Sequence, residues 1–380
     1  METADVVVVG GGVHGCAVAY HLARLGAGRI VVFDSQYLAS GGTGRSAAGV
    51  RHQFGTEINC NLAMENIRRF ETLEQDLDYG GDIEFAQGGY LLIAYSQGQL
   101  QQFERNVALQ NSLGIESVML EPDDISSIAP DLNLDGVLGA SFCPRDGHAN
   151  PFHVTMAYAR AAGRLGATFR LYETVEALRV RSDKVAGVVT GRCAVDAPVV
   201  VVAAGGRSAD LLATAGVQAP IYSERHQILV TEPFEHALNP MVLCFDDGTY
   251  WKQTPHGSFL MGIGDPNEAK GHAVGSSWQF LHEVSVKIER HMPRLAGARV
   301  VRQWAGTYDI TPDSQAIIGP TPVDGLYVNA GWSGHGFQFA PTIGQILAEV
   351  VLHRQPMIDV SPLYLERFET GRLIPEPACV

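Results

Sequence analysis

Gly10, Gly12 and Gly15 stand at the spacing that brings a backbone against a pyrophosphate, and Asp34 follows where a carboxylate can reach a ribose hydroxyl. Gly10 lets the chain turn, Gly12 admits close approach, and Gly15 lets the next helix lie on its strand. That helix opens with Val13 and His14. Free N–H groups and a positive dipole end at its start suit an anion. The acid at 34, followed by Ser35, favours a nucleotide without a 2′-phosphate. A second set is Gly42-Thr43-Gly44-Arg45-Ser46-Ala47. Its small residues, hydroxyls and guanidinium suit a segment pressed on a flat or phosphorylated ligand; a glycine-rich surface loop is the alternative. Arg51-His52 follows. Arg51 can grip a carboxylate through paired hydrogen bonds, or else pair with cofactor phosphates. His52 can accept a proton, place a water, or serve structure by bonding backbone.

These residues need elements to hold them. The four valines Val6–Val9 read as a buried parallel strand, followed by a helix from Val13 to Leu25 and a strand Ile30–Phe33. Two more strands end in small residues: Val199–Val202, before Ala203-Ala204-Gly205-Gly206, and Leu326–Ala330, before Gly331–Gln338. One sheet is therefore assembled from distant segments. The last glycine stretch precedes a helix, Ala340–Leu352, opened by Pro341. A helix N-terminus aimed at the pyrimidine edge of a reduced flavin stabilises its negative charge, which points to a flavin rather than a nicotinamide; a plain strand-to-helix turn is the alternative. His335 there has glycine neighbours that suggest a backbone role, and Trp332 either caps the flavin or is core. His226 either lines the pocket or ends a strand.

Between these strands, helices are expected at Glu57–Asp78, Gln99–Leu113, Trp278–His291 and from Pro151, capped by Asn150, to about Leu165. Strands are expected within Ile83–Tyr95 about Gly88-Gly89, and at Val137–Cys143, Thr168–Leu171, Ala177–Val189 and Cys193–Asp196. Ile221–Glu232 and Ser258–Gly264 read as strands of a different sheet, while Arg302–Thr311 returns toward the first. Pro122 and Pro130 bracket a loop. The fold class is α/β: a Rossmann-like FAD-binding domain (1–82, 146–218 and 303–380) with an inserted α+β substrate domain (83–145 and 219–302) on an antiparallel or mixed sheet.

The chain has 380 residues, enough for about two domains. Its net charge of −14, without clustered Lys or Arg, excludes a nucleic-acid partner. The six cysteines are scattered with no CxxC or other ligand spacing, so no metal site is expected and reduced thiols are the default. No secretory signal fits and no apolar run is long enough to be a transmembrane segment, so a cytoplasmic location is expected.

The motifs together resemble the D-amino-acid oxidase-like FAD-dependent oxidoreductases, over nearly the whole chain. Within that family the nearest likeness is to the β-subunits of sarcosine oxidase and dye-linked L-proline dehydrogenase. The resemblance rests on Gly10–Gly15, Thr43–Ala48, Arg51-His52, Val202–Gly205, Trp304-Ala305-Gly306 with Thr311-Pro312-Asp313, and Gly331–Phe337. It implies non-covalent FAD, because Gly306 stands where a monomeric sarcosine oxidase carries its flavin-linking cysteine. Asp34 would bind the adenosine ribose, Val175 the adenine through its backbone, and Thr43–Ser46 the pyrophosphate and flavin. Ala204, Gly205, Trp304 and Gly306 would line the cofactor, with Gly334, His335, Gly336, Phe337 and Gln338 at the pyrimidine edge.

Arg51 matches the arginine that grips the substrate carboxylate, and Arg225 and Tyr250 match carboxylate contacts in D-arginine dehydrogenase. Gln338 replaces a lysine partner of that arginine, so binding would rest on Arg51 with Tyr250, Tyr308 or Arg225. Leu260 replaces an inner-strand lysine used for oxygen reduction, which favours a dehydrogenase. The implied reaction is oxidation of a small amino acid or secondary amine by hydride transfer to flavin N5, giving an imine that hydrolyses. The acceptor would be O2 or a dye- or quinone-like molecule, and partner subunits are possible. The alternatives are a flavin-dependent 2-hydroxy-acid dehydrogenase, or a flavoprotein subunit of a larger amine dehydrogenase complex.

Overall fold

A computed structural model describes residues 2–265 and 267–377; Cys379 lies outside them. The expected sheet forms. Its strand order is Ile317–Pro320, Leu326–Ala330, Val199–Val202, Val6–Val9, Ile30–Phe33, Thr168–Arg170. All pairings are parallel except that of the edge strand Ile317–Pro320. Val199 to Val202 lie opposite Val6 to Val9 in register. Both faces of these strands are buried, so they read as unbroken apolar runs. Val6 and Val8 pack under the helices Val13–Arg24, Pro151–Arg164 and Gly336–Val351; Val7 and Val9 face a four-stranded sheet that includes Val175–Arg181 and Lys184–Thr190.

The second sheet has eight strands, in the order Val300–Ile310, Tyr222–Pro233, Ser258–Ile263, Thr249–Gln253, Met241–Cys244, Tyr90–Ala94, Gly139–Cys143, Val118–Leu120. It is mixed, because Met241–Cys244 runs parallel to Tyr90–Ala94. Helix Trp278–His291 buries Phe280, Val284 and Ile288 against one face. The other face, with Tyr90, Leu92, Leu243 and Tyr250, turns toward Ala47.

Several local expectations are corrected. The strand expected to return to the first sheet, Arg302–Thr311, is Val300–Ile310 and pairs with Tyr222–Pro233 at the edge of the second sheet. The boundary expected at residue 303 therefore cuts a strand. The loop between Pro122 and Pro130 holds a helix, Pro122–Ile128, because proline at the first helical position costs no hydrogen bond and Glu121 caps it with Asp124. Ile83–Tyr95 yields one strand, Tyr90–Ala94, preceded by an irregular stretch ending at Gly89 with φ +89°. The last helix starts at Gly336, with Pro341 inside it rather than opening it. Thr342 N–H, near that proline, donates instead to Asn66 Oδ1 at 3.0 Å.

The first and last helices of the parallel sheet cross closely. A Cβ on Gly344 would lie 2.7 Å from Ala17 Cβ and 2.9 Å from its backbone carbon. This approach sets the two helix N-termini, and so the two glycine turns, side by side. Gly344→Val is expected to destabilise the fold by about 1–3 kcal/mol through overpacking, read as a lower urea midpoint; an unchanged midpoint would show that the crossing gives way easily.

Candidate active site

A cleft of about 670 Å³ runs past the carboxyl ends of the parallel strands, lined by Gly10, Gly12, Val13, His14, Asp34, Ser35, Gly42, Thr43, Arg45, Val175, Ala204 and Gly205, among others. At Ser46, Tyr308, Gly334 and Phe337 it meets a smaller cavity of about 90 Å³.

The three signature glycines divide by role. Gly10 has φ +116°, and a Cβ there would lie 2.2 Å from Ala203 O; one on Gly15 would lie 1.8 Å from Gly10 O. These two close the turn, and Gly15 lies behind the cleft rather than in its lining. Gly12 is different: a Cβ would meet only Thr43 Oγ1 and Cβ, at 3.0 and 4.0 Å, with the cleft beyond. Asp34 accepts Gly11 N–H at 2.7 Å through Oδ2 and Gln36 N–H at 2.8 Å through Oδ1. A carboxylate offers about four acceptor positions, so a ribose hydroxyl can still bind. The cleft size, the bare Gly12 backbone and this acid fit FAD.

Besides Gly15, three more expected cofactor residues stand back from the cleft: Gly44, Trp304 and Gly306. Gly44 packs against Ala39 O and the Phe152 ring. Trp304 donates from Nε1 to Arg45 O at 3.1 Å, and Gly306 abuts Arg45 Cβ. They hold Arg45, which itself spends donors on Ser40 O at 2.9 Å and Ala305 O at 2.7 Å. Its guanidinium thus fastens the glycine-rich loop to the second sheet.

The two ends of the chain meet at His14. Its ring stacks on Trp332 at 4.4 Å, its Nε2 bonds Gly336 O at 2.8 Å and its Nδ1 lies 3.2 Å from Asn329 Nδ2. Trp332 Nε1 donates to Asn329 Oδ1 at 3.0 Å. Burial pulls His14 down to about 4, outweighing the Gly336 carbonyl. Asp309 accepts Gly331 N–H at 2.7 Å, pinning the same turn to the second sheet, and burial pushes its carboxyl up to about 6 against the backbone donors. Gly334, at φ +89°, leaves room for the Tyr308 ring, which a Cβ would approach to 2.4 Å.

In the smaller cavity Arg51 is the single charged-type side chain among the described lining residues. Its guanidinium lies 4.6 Å from the Phe54 ring centroid, and Nη1 donates to Gln53 O at 3.0 Å. Gln338, expected beside the substrate, lines the cavity and accepts Arg51 N–H at 2.6 Å, so it holds the arginine's backbone. Tyr250 and Tyr308 flank His226, stacked at 5.5 and 4.2 Å. Burial pulls His226 down to about 4, and its buried Nε2 has no hydrogen-bond partner among the described residues. His335 lines the cavity and is pulled to about 3 by burial and then by the Arg51 charge. Burial, aided by Tyr308, raises Tyr250 above its usual range.

Two residues expected at the substrate are elsewhere. His52 bonds Asp146 Oδ1 through Nδ1 at 2.7 Å and through its backbone N–H at 2.8 Å, away from the cavity. Arg225 pairs with Glu268 at 2.9 Å and donates to Gly275 O. Successive residues of a strand face opposite sides, so with His226 turned inward Arg225 points out. Tyr90, Met241 and Leu243 complete the cavity; the last two lie on the strand Met241–Cys244, a short apolar run with no alternating pattern, and Tyr90 comes from the parallel neighbour Tyr90–Ala94. Leu260 carries no cation, but Lys252 lies opposite it in the antiparallel ladder, on the same face. Burial pulls that ammonium down to about 7.

The family model for FAD dependent oxidoreductases (DAO) matches residues 5–350. The sarcosine oxidase subunit beta of an Arthrobacter species is 33% identical over 98% of this chain and 93% of its own length. A 4-methylaminobutanoate oxidase (formaldehyde-forming) of Paenarthrobacter nicotinovorans is 32% identical over 95% of this chain, which spans 45% of that protein. The crystal structure of an L-proline dehydrogenase from P. horikoshii superposes with a TM-score of 0.91 at 32% identity, over 98% of this chain and all of that one.

Because Gly12 bares its backbone to the cleft at the opening of the first helix, Gly12→Val is expected to cut the flavin content of the purified protein at least about tenfold, the effect of a clash in a packed site. Its extended φ of −74° tolerates valine, so the far-ultraviolet circular dichroism should be unchanged. Full flavin content in the variant would contradict this placement of the pyrophosphate.

Proposed function

The chain belongs to the DAO family of FAD-dependent oxidoreductases and is an enzyme that oxidises amino acids or amines, and from that premise we propose that its substrate is a small amino acid with an uncharged side chain, held by its carboxylate on Arg51. Bound FAD supplies the two-electron acceptor. The observation that carries the reading is the charge of the cavity. Arg51 is its one charged-type side chain among the described residues, no acid lines it, and burial keeps His226 and His335 neutral.

Such a cavity complements a single carboxylate. It offers no anion to pair with an ammonium, so the substrate amine sheds its proton to bind, which is the form that can be oxidised. It also has no counter-charge for a basic side chain and no second cation for a dicarboxylate. The cavity, about 90 Å³, is small beside the cleft of about 670 Å³, which suits a small amino acid. Met241, Leu243 and Phe337 supply its apolar wall, and Tyr90, Tyr250, Tyr308 and Ser333 its hydroxyls.

The flavin is held without a covalent link at position 306, where glycine has no nucleophile. Lys252 places an amine, brought by burial to about 7, on the sheet face where Leu260 has none, so O2 stays open as the acceptor. A partner chain belongs to this reading, because the similar Arthrobacter protein is named as a subunit. Among the described residues no helix is long and apolar enough to cross a membrane.

Anaerobic mixing with sarcosine, L-proline, glycine, D-amino acids and 2-hydroxy acids should bleach the flavin with a small neutral amino acid, and not with arginine, glutamate or a hydroxy acid. Arg51→Met should raise the half-saturating concentration of that substrate about tenfold or more, the loss of a charged hydrogen-bonded pair. Bleaching by hydroxy acids alone, or an unchanged half-saturation, would overturn the reading. Acid precipitation should leave the yellow colour in the supernatant; colour in the pellet would reveal a covalent bond.

A further inference from the structure

Arg51 sits on an irregular segment, residues 51–55, between the short strand Gly49–Val50 and the helix Glu57–Asp76. No ladder fixes such backbone, so its shape depends on side chains. The guanidinium rests on Phe54 and donates to Gln53 O. Two buried carboxylates hold those neighbours. Asp146 accepts His52 N–H at 2.8 Å and Gln53 Nε2–H at 3.1 Å.

The second is Glu376, from the far end of the chain. Its Oε1 accepts Gly55 N–H at 2.8 Å; its Oε2 accepts Thr56 Oγ1–H at 2.7 Å and Asn59 Nδ2–H at 2.8 Å. Thr56 occupies the helix N-cap but its side chain makes no capping bond, and Glu376 brings negative charge to that helix end while holding the Gly55 backbone. The segment bearing it is tied down in turn. Ile374 N–H donates to Asp313 Oδ2 at 3.3 Å and Glu376 N–H to Asp313 O at 3.2 Å, while Asp313 is paired with Arg367 at 2.9 Å. Gly55 is pressed close: a Cβ there would lie 2.3 Å from Pro377 Cγ.

We propose that Glu376 is a positioning residue for carboxylate recognition, fixing through Gly55, Thr56 and Asn59 the platform on which Arg51 is oriented. The inference rests on the reading of Arg51 given above. It makes the stretch Leu373–Pro377 a strap against the segment that follows Arg51. By Coulomb's law alone, removing a negative charge near Arg51 would tighten the binding of an anion. Loss of orientation weakens it, because paired hydrogen bonds to a carboxylate demand a set geometry. The sign of the change separates the two effects.

The test titrates the FAD-loaded protein with propionate, an unreactive carboxylate, by flavin absorbance, and measures turnover. Glu376→Gln is expected to weaken propionate and raise KM about tenfold, and Asn59→Ala, which removes one donor and leaves the charge, about threefold. Saturated turnover should change less than about twofold and flavin content not at all. Unchanged or tighter propionate binding with a lower melting temperature would reduce Glu376 to a helix cap, and parallel loss of flavin and turnover would mean general damage; either overturns the proposal. Should Glu376→Gln not fold, Asn59→Ala decides. If Arg51→Met also leaves propionate binding unchanged, the carboxylate reading falls and the strap with it. If only Arg51→Met weakens it, the strap alone falls.

Discussion

The site depends on one closure: the first glycine turn of the chain locked to the last. His14, just inside the first helix, stacks on Trp332 and bonds Gly336 O, and Asn329 ties both rings to the end of its strand. The Ala17–Gly344 crossing brings the two helices near enough for this. Two helix N-termini, each with unsatisfied N–H groups and a positive end, are thereby set on one cleft. One suits a pyrophosphate and the other an electron-rich ring edge. Neither segment would make that cleft alone.

The second sheet closes the cavity. Its long edge strand, Val300–Ile310, carries Ala305, whose carbonyl takes Arg45, and Asp309, which takes Gly331 N–H. Tyr308 between them stacks on His226 from the neighbouring strand. The strand period of two explains which side chains meet: His226 and Tyr250 face the cavity, while Arg225 faces away to Glu268. A wall of neutral rings around one guanidinium has a low local dielectric, which strengthens a carboxylate contact and disfavours any further charge.

Charge is also kept out of the reacting space by how buried polar groups are satisfied. His52, Gln53 and Asp146 bond one another beneath Arg51. Asp313 and Arg367 form a paired, buried link that carries the strap bearing Glu376. These groups are expensive to bury singly and tolerable together, so they act as braces for the irregular segment on which recognition rests.

From the sequence alone came the parallel strands and the FAD-type turn, because each is a local pattern: valine runs, glycine spacing, a strand-ending acid; the family came from the resemblance its motifs carry together. The helix from Pro151 with its Asn150 cap, and the helix Glu57–Asp76, were legible for the same reason. What the chain's order could not state was which face a residue takes in a sheet whose strands come from distant segments. That decided against Arg225 and His52, turned His226 into the cavity, placed Trp304 and Gly306 behind Arg45, and added Tyr90, Met241, Leu243 and Lys252. It also made Glu376, remote in sequence, a neighbour of Gly55. Local pattern selects an element; only long-range pairing and packing select its neighbours, since a register or face is set by what lies opposite.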